Sequence, residues 1–548
     1  MGDTKFQRKA RGAFFTPPAI SRYLVEWAIQ SSSDTVLEPS CGEASFLLAA
    51  ARRLESFPDR PLFLNQQLHG VEIHKDSADH AHALLKAEGY EAKINVEDFF
   101  TYESSLKFSA VIGNPPFVRY QNFSGTVRTK SLEAALAQGV RLSGLANSWA
   151  AFVVKAALHL APEGRLALVL PAKLLTVGYA AEIRRFLLSR FNRVRLIMFE
   201  ERVFPEVLEE IVLLLADGTG GASCFEVYQT RDTNSLEAVE LADWTCYVPG
   251  KDEKWTPALL AQDAFATYRD VAASCFEEMR VWGSTYLGAV TGNNNFFTLT
   301  AEEANKLGCI DSDLIRISPP GSRHMRGLVL TDRAWKQLAR EGARCYLLSP
   351  KKSPSIAACH YIEKGEREGV ASAYKCRTRS PWWRVPLVET PDLFLTYMNH
   401  DRPRLITNAG RVDILNSIYG VRLTNGRRRI GNDLLPVASL NSITLLGAEI
   451  VGRSYGGGLL KMEPREADKL PLPSLKKIKE VEYELRTVKS QLTQALRQGD
   501  LIKAIERVDS IILSDVSKSD LKVVMTAREM LFERRRERNR GGASRRTS

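Results

Sequence analysis

Asn114-Pro115-Pro116-Phe117 is the stretch of this 548-residue chain whose residue types could do chemistry. The Asn side chain offers one carbonyl acceptor and one amide donor. Two consecutive prolines remove two backbone N–H donors and hold φ near about −65°, so the carbonyls of Asn114 and Pro115 are not drawn into a helix or ladder and stay available as acceptors. Phe117 adds a flat ring. Two acceptors beside a ring suit an exocyclic amine on a planar base, which brings two hydrogens to be accepted and a face to be stacked. Alone, such a tetrapeptide more often just turns a corner. Its place at the end of a strand, Phe108 to Gly113, gives it weight.

The elements before it have the order of an α/β sheet. Thr16 is suited to cap a helix whose first position is Pro17 and whose face is Ile20, Leu24, Trp27 and Ala28. Thr35 to Leu37 reads as a short buried strand running into the turn Glu38-Pro39-Ser40-Cys41-Gly42, then a helix from about Phe46 to Leu54. Strand, glycine-bearing turn and helix make the first third of a nucleotide-binding sheet, whose ligand sits beyond the carboxyl ends of the strands. The turn is no phosphate loop, because it lacks G-x-G-x-x-G and Glu38 brings a carboxylate to the ligand. A ligand with a positive group and hydroxyls fits, and S-adenosylmethionine carries an α-amino group, a sulfonium and a ribose. A second strand, Leu68 to Ile73, brings Glu72 for a ribose diol with Ile73 beside it. A third, Ala92 to Val96, leads to Asp98, which could accept from an adenine amine, and Phe99, which could cover the ring. Glu, Glu, Asp and Asn then meet at one sheet edge.

Motifs in the order F-x-T-P-P, E-P-x-C-G, Gly-Val-Glu, Asp-Phe and N-P-P-F resemble the γ-class amino-methyltransferases of bacterial restriction and modification systems over residues 11 to 216. The resemblance continues more loosely through Val290-Thr291-Gly292-Asn293, Pro381-Trp382-Trp383, Pro403-Arg404 and Arg453 to Gly458, in the manner of a target-recognition region. It implies a Rossmann-like, S-adenosylmethionine-dependent methyltransferase domain, a mixed α+β target-recognition domain, and methylation of the N6 amine of an adenine flipped from double-stranded DNA. It also implies that Phe15 and Thr16 line the cofactor pocket with Glu38, Pro39, Cys41, Gly42, Glu72, Ile73, Asp98, Phe99 and Asn114. Asn114, Pro115, Pro116, Phe117 and Phe204 would form the catalytic set, with Phe204 at the edge of the base. Many relatives carry a second glycine in the cofactor turn, where this chain has Ala44. A cytosine-N4 methyltransferase and a catalytically silent DNA-binding protein are the competing readings.

Length implies more than one domain. The expected division is 1–220 catalytic, 246–473 target recognition, 474–533 a helical hairpin, and 534–548 a disordered basic tail. Net charge is +11, and residues 474–548 hold 18 Lys and Arg against 11 Asp and Glu, so most of the excess lies there. The eight cysteines are scattered without a C-x-x-C pair or a dense disulfide framework, which fits a reducing cytoplasm. No run approaches a membrane span. His80/His82 and Cys359/His360 lack companion ligands, so no metal is expected. Tyr374, Trp382 and Trp383 among Lys375, Arg377, Arg379 and Arg384, and the group Arg422, Arg427, Arg428 and Arg429, are candidates for gripping nucleic acid. There is no nuclease constellation, so a cognate restriction endonuclease, where there is one, is expected on a separate chain. The protein is expected to act as a monomer.

Overall fold

The computed structural model describes residues 16–59, 66–118, 120–201, 203–204, 210–241, 243–250, 254–350, 353–455 and 458–543. The chain divides into two compact units, residues 1–259 and 260–548.

The first unit is built on a nine-stranded sheet in the order β3-β2-β1-β4-β5-β7-β6-β8-β9. In chain order the strands are β1 Val36–Glu38, β2 Leu68–Glu72, β3 Lys93–Val96, β4 Phe108–Gly113, β5 Leu160–Pro171, β6 Arg193–Phe199, β7 Ile211–Asp217, β8 Phe225–Thr230 and β9 Thr245–Tyr247. β3, β2, β1, β4 and β5 are mutually parallel neighbours, and β7 runs antiparallel to both β5 and β6. The central strands are nearly continuous apolar runs because helices cover them, as in other parallel sheets. The helices used below are α1 Pro18–Ala28, α2 Ser45–Glu55, α3 Lys75–Ala87, α4 Gly125–Leu136 and α5 Ser148–Leu158. From β1 the chain winds outward to β3 and then returns to β4 on the other side of β1. The β1/β4 boundary is therefore a topological switch point, where open sheets of this kind leave a crevice.

The catalytic unit extends past the expected boundary at residue 220. β8 adds in parallel to β6, and β9 adds antiparallel to β8, so the sheet keeps growing until Tyr247. Phe225 and Trp255 stack at 3.9 Å and hold this edge to the core. Cys224 and Cys246 form a disulfide across the β8–β9 pair, a pairing that their distance in sequence does not announce.

The second unit is mixed α+β. A four-stranded antiparallel sheet orders Gly283–Leu287, Tyr419–Leu423, Leu393–Leu395 and Leu405–Thr407, and smaller sheets flank it. Its core includes a hydrophobic cluster around Phe296, Phe297, Ile362 and Cys376 and another around Trp335, Phe394 and Ile406. In the C-terminal part, the helices Glu482–Gln498 and Leu501–Ile512 pack together across Gly499, whose φ of +82° ends the first of them. The tail expected to be disordered from residue 534 is helical instead, within Lys518–Ala543. Arg535 is the reason: its guanidinium makes a two-pronged contact with Glu449 (2.8 and 3.0 Å), both side chains under 5% exposed. That helix packs on Ser442–Val451 and Gln262–Cys275, so residues 474–543 belong to the second unit. Residues 544–548 lie outside the described residues.

Candidate active site at the switch point

Glu38 ends β1, Glu72 ends β2, Asp98 lies two residues past β3, and Asn114 directly follows β4. Because these strands are parallel neighbours, all four expected polar residues come to one edge, and Asn114 and Glu38 flank the switch point.

Local chemistry shapes the turn between β1 and α2. Cys41 N–H donates to Val71 O at 3.0 Å, and Ala44 N–H to Cys41 O at 2.6 Å, closing a tight turn in which Gly42 and Ala44 take φ of +48° and +59°. An alanine in the left-handed region costs about 1–2 kcal/mol, a cost a glycine would not incur. Ala44 is the N-cap of α2 and has no side-chain oxygen to satisfy the first-turn N–H groups. Glu38 supplies that acceptor: its carboxylate receives Leu47 N–H at 3.0 Å. Burial pushes the Glu38 carboxyl well above the usual range, against the lowering effect of the Leu47 N–H, and the nearby Glu72 charge adds to the rise. Glu72 is also buried, and each oxygen holds one N–H at 3.0 Å, from Gly42 and from His74. Glu72 thus ties the turn to the start of α3, with lone pairs left over for hydroxyl donors.

Asp98 caps its own loop. Oδ1 accepts Phe100 N–H at 3.0 Å, and the Asp98 carbonyl accepts Thr101 N–H at 2.8 Å. That winding corrects the expectation for Phe99. Its ring turns away into an aromatic cluster, 3% exposed, stacked on Phe152 at 5.1 Å, so it is placed as a core ring rather than as a cover for a bound one. The apolar groups left open at this edge are Ile73 and Val96, 49% and 50% exposed. Ile73 was expected there. Val96 was missed, although its position as the last residue of β3, one strand over from Ile73, was readable.

Asn114 is half-buried, and its Nδ2 donates to Thr16 Oγ1 at 3.2 Å. This replaces the helix-capping role expected of Thr16: α1 starts at Pro18 and no side chain caps it. Ser40 Oγ donates to the Asn114 carbonyl at 3.5 Å. The proline pair is clamped from α5, where Ser148 Oγ donates to the Pro116 carbonyl and accepts Val118 N–H at 2.9 Å. Asn147 Oδ1 accepts Tyr120 N–H at 3.1 Å. Ser40, Asn147 and Ser148 carry no motif, and only their hydrogen bonds reveal them. Pro39, Cys41 and Gly42 sit in the turn as expected, Pro115 and Phe117 are buried beside Asn114, and Phe204 is buried after β6. Phe15 lies outside the described residues.

Donor chemistry at the edge fits S-adenosylmethionine: clustered carboxyl groups for an ammonium, a sulfonium and a ribose, and two open aliphatic side chains for a purine. In the second unit, several arginines expected to grip nucleic acid are instead neutralised. Arg427 pairs with Glu277, Arg428 with Asp392 at 2.6 Å, and Arg422 with Glu389. Arg379 holds the carbonyls of Val290 and Thr291, and Trp382 packs on Phe296 while donating to Glu366 at 2.8 Å. Tyr374 stays exposed, with Lys375 and Arg377 near its ring.

The N-6 DNA Methylase family matches residues 4–220, and the C-terminal domain of Type II methyltransferase M.Eco57I matches residues 252–513. Type II methyltransferase M.XamI of Xanthomonas campestris pv. amaranthicola is 27% identical over 495 residues, covering 85% of this chain and 86% of that protein. Type II methyltransferase M.AccI of Acinetobacter calcoaceticus is 22% identical over 482 residues, covering 84% and 85%. The Type IIL restriction-modification enzyme MmeI, solved in complex with DNA, shares the fold over 97% of this chain and 80% of its own, at 13% identity and a TM-score of 0.57. With both matched regions in sequence order and the acidic sheet edge between Thr16 and Asn114 in place, residues 4–220 are an N-6 DNA methylase domain, and the protein is an S-adenosylmethionine-dependent adenine DNA methyltransferase.

Proposed function

We propose that the protein is the modification enzyme of a restriction–modification system, methylating the N6 amine of an adenine flipped out of duplex DNA. Asn114 carries the proposal: it stands at the switch point, immediately beyond β4, with its amide nitrogen engaged by Thr16. That contact orients the amide, whose oxygen is the acceptor assigned here to the base. The side-chain oxygen and the Pro115 carbonyl accept the two amine hydrogens. The nitrogen lone pair, otherwise delocalised into the ring, then localises and is aimed for in-line attack. Bound S-adenosylmethionine supplies an electrophilic methyl group. That methyl group would pass to the lone pair with sulfur keeping the electron pair of its former bond, and the extra amine proton would go to water.

Each remaining residue has a matching role. Glu72 takes the ribose hydroxyls, Asp98 the cofactor's adenine amine, and Ile73 and Val96 flank that ring. Glu38, Pro39, Cys41 and Gly42 form the wall under the methionine portion. Pro116, held by Ser148, fixes the path of the cradle. Phe117 stacks on the flipped base and Phe204 meets its edge, offsetting part of the few kcal/mol that flipping costs. The substrate is double-stranded DNA and the acting species a monomer, with any endonuclease on another chain. No single helix among the described residues is long and apolar enough to cross a membrane.

The decisive experiment incubates DNA with the protein and methyl-labelled cofactor, then digests the DNA to nucleosides. Label in N6-methyl-2′-deoxyadenosine is the expected result. Label in N4-methyl-2′-deoxycytidine would replace the target base, and no label would leave a DNA-binding protein with a silent methylase fold.

A further inference from the structure

A cavity of about 550 Å³ lies in the first unit, walled by α4, the last turn of α5 and the loop Phe100–Lys107. His159, directly after α5, lines it. The ring is 3% exposed, with Phe99 at 5.6 Å and Tyr102 at 5.2 Å beside it. Among the described residues neither ring nitrogen has a hydrogen-bond partner. Leaving a buried polar group unsatisfied is costly, and native structures rarely do so without a ligand, ion or water to answer it.

The rest of the lining says what would answer it. Lys107, Lys130 and Lys155 all border the cavity, against two carboxylates, Glu103 and Glu133, in the same walls. Lys107 Nζ donates to the Leu158 carbonyl at 2.7 Å, which offsets the partial negative charge at the end of α5. Lys155 is itself buried, and its ammonium meets Glu103 Oε1 at 2.8 Å, on a side chain 83% exposed. An exposed carboxylate folded back onto a buried ammonium marks where an anionic oxygen is held, and a solvated side chain is readily displaced from that place. Burial first, and then the Lys155 and Lys107 charges, push His159 down to about 4 against the opposing Glu103 charge, so at neutral pH the ring is a neutral N–H donor. With Glu103 displaced, the lysine charges that disfavour imidazolium favour an oxyanion.

We propose that this cavity binds a small phosphate-bearing anion, its oxygens held by Lys155, Lys130 and the His159 N–H with Glu103 swung aside. The volume leaves room for a nucleoside monophosphate. The site also adjoins the catalytic edge, since Phe99 follows Asp98 and the opposite end of α5 clamps Pro116 through Ser148.

The test uses the full chain with ¹³C-labelled histidine. There are eight histidines, and the His159 signal is assigned by its loss in His159→Gln. Inorganic phosphate, AMP and a short non-cognate duplex are titrated separately at constant ionic strength against chloride. The expected result is a saturable shift of the His159 signal alone, weakened by about fivefold or more in Lys155→Met and in Lys130→Ala, the latter an exposed position on α4 that leaves the fold intact. Response to phosphate or AMP identifies a free ligand; response to the duplex alone identifies backbone phosphate as the source. No saturable shift with any of the three, or unchanged affinity in Lys130→Ala and Lys155→Met, overturns the proposal.

Discussion

Thr16→Val removes one hydroxyl and keeps the side-chain volume, and the hydroxyl it removes accepts the Asn114 amide at 3.2 Å. A side-chain amide turns about a broad, roughly two-fold torsion, so without that anchor the acceptor oxygen is no longer fixed toward the base. A neutral hydrogen bond contributes about 0.5–1.5 kcal/mol net, and 1.4 kcal/mol is tenfold in rate, so methyl transfer should slow by roughly two- to tenfold. The loss belongs in the transfer step, because the amine hydrogens are gripped most tightly as the nitrogen becomes tetrahedral. Single-turnover methylation at saturating cofactor and DNA, together with cofactor affinity by equilibrium titration, separates the two terms. Thr16→Ser, which keeps the oxygen, should restore the rate to within about twofold. An intact transfer rate with weakened cofactor binding would make Thr16 a pocket wall and nothing more. A Ser variant as slow as the Val variant would show that the methyl group, and not the hydroxyl, matters.

Glu72→Gln puts an amide donor against one of the two N–H groups that the carboxylate now accepts, so cofactor affinity should fall about tenfold or more while transfer at saturation changes little; a rate that saturating cofactor fails to restore refutes this. Asp509 is buried, accepts from Ser442, and is pushed up to about 6 by burial. The folded state therefore holds this proton more tightly than the unfolded chain does. The stabilisation is complete below about pH 4 and is lost as pH rises through about 6, a change of about 3 kcal/mol. Asp509→Asn should flatten urea stability across that window, and an unchanged slope counts against it. Arg535→Met strands the Glu449 carboxylate in the core and should cost about 3–5 kcal/mol, whereas Arg535→Met with Glu449→Leu should recover much of that; a single variant as stable as the parent by urea denaturation would mean that the pair is not buried in solution.

What the residues determined by themselves is the sheet edge. Short strands that end at or just before Glu38, Glu72, Asp98 or Asn114 are a local pattern, and parallel topology carries any such pattern to one side of the sheet. The consecutive prolines likewise act through their own rings and need no partner to stiffen the cradle. What only the tertiary structure decided is where side chains find partners far away in sequence. Thr16 and Asn114 are 98 residues apart, and Thr16 reads equally well as a helix cap until the fold brings the amide to it. Phe99 beside Asp98 reads as a ring cover until the loop winding turns it against Phe152. Arg535 in a run of arginines reads as solvated tail, because nothing local reveals that one turn of that helix faces Glu449 across 86 residues. Periodicity reports which face of an element is apolar, but the pairing of buried polar and charged groups is set by packing between elements, and that information is not local.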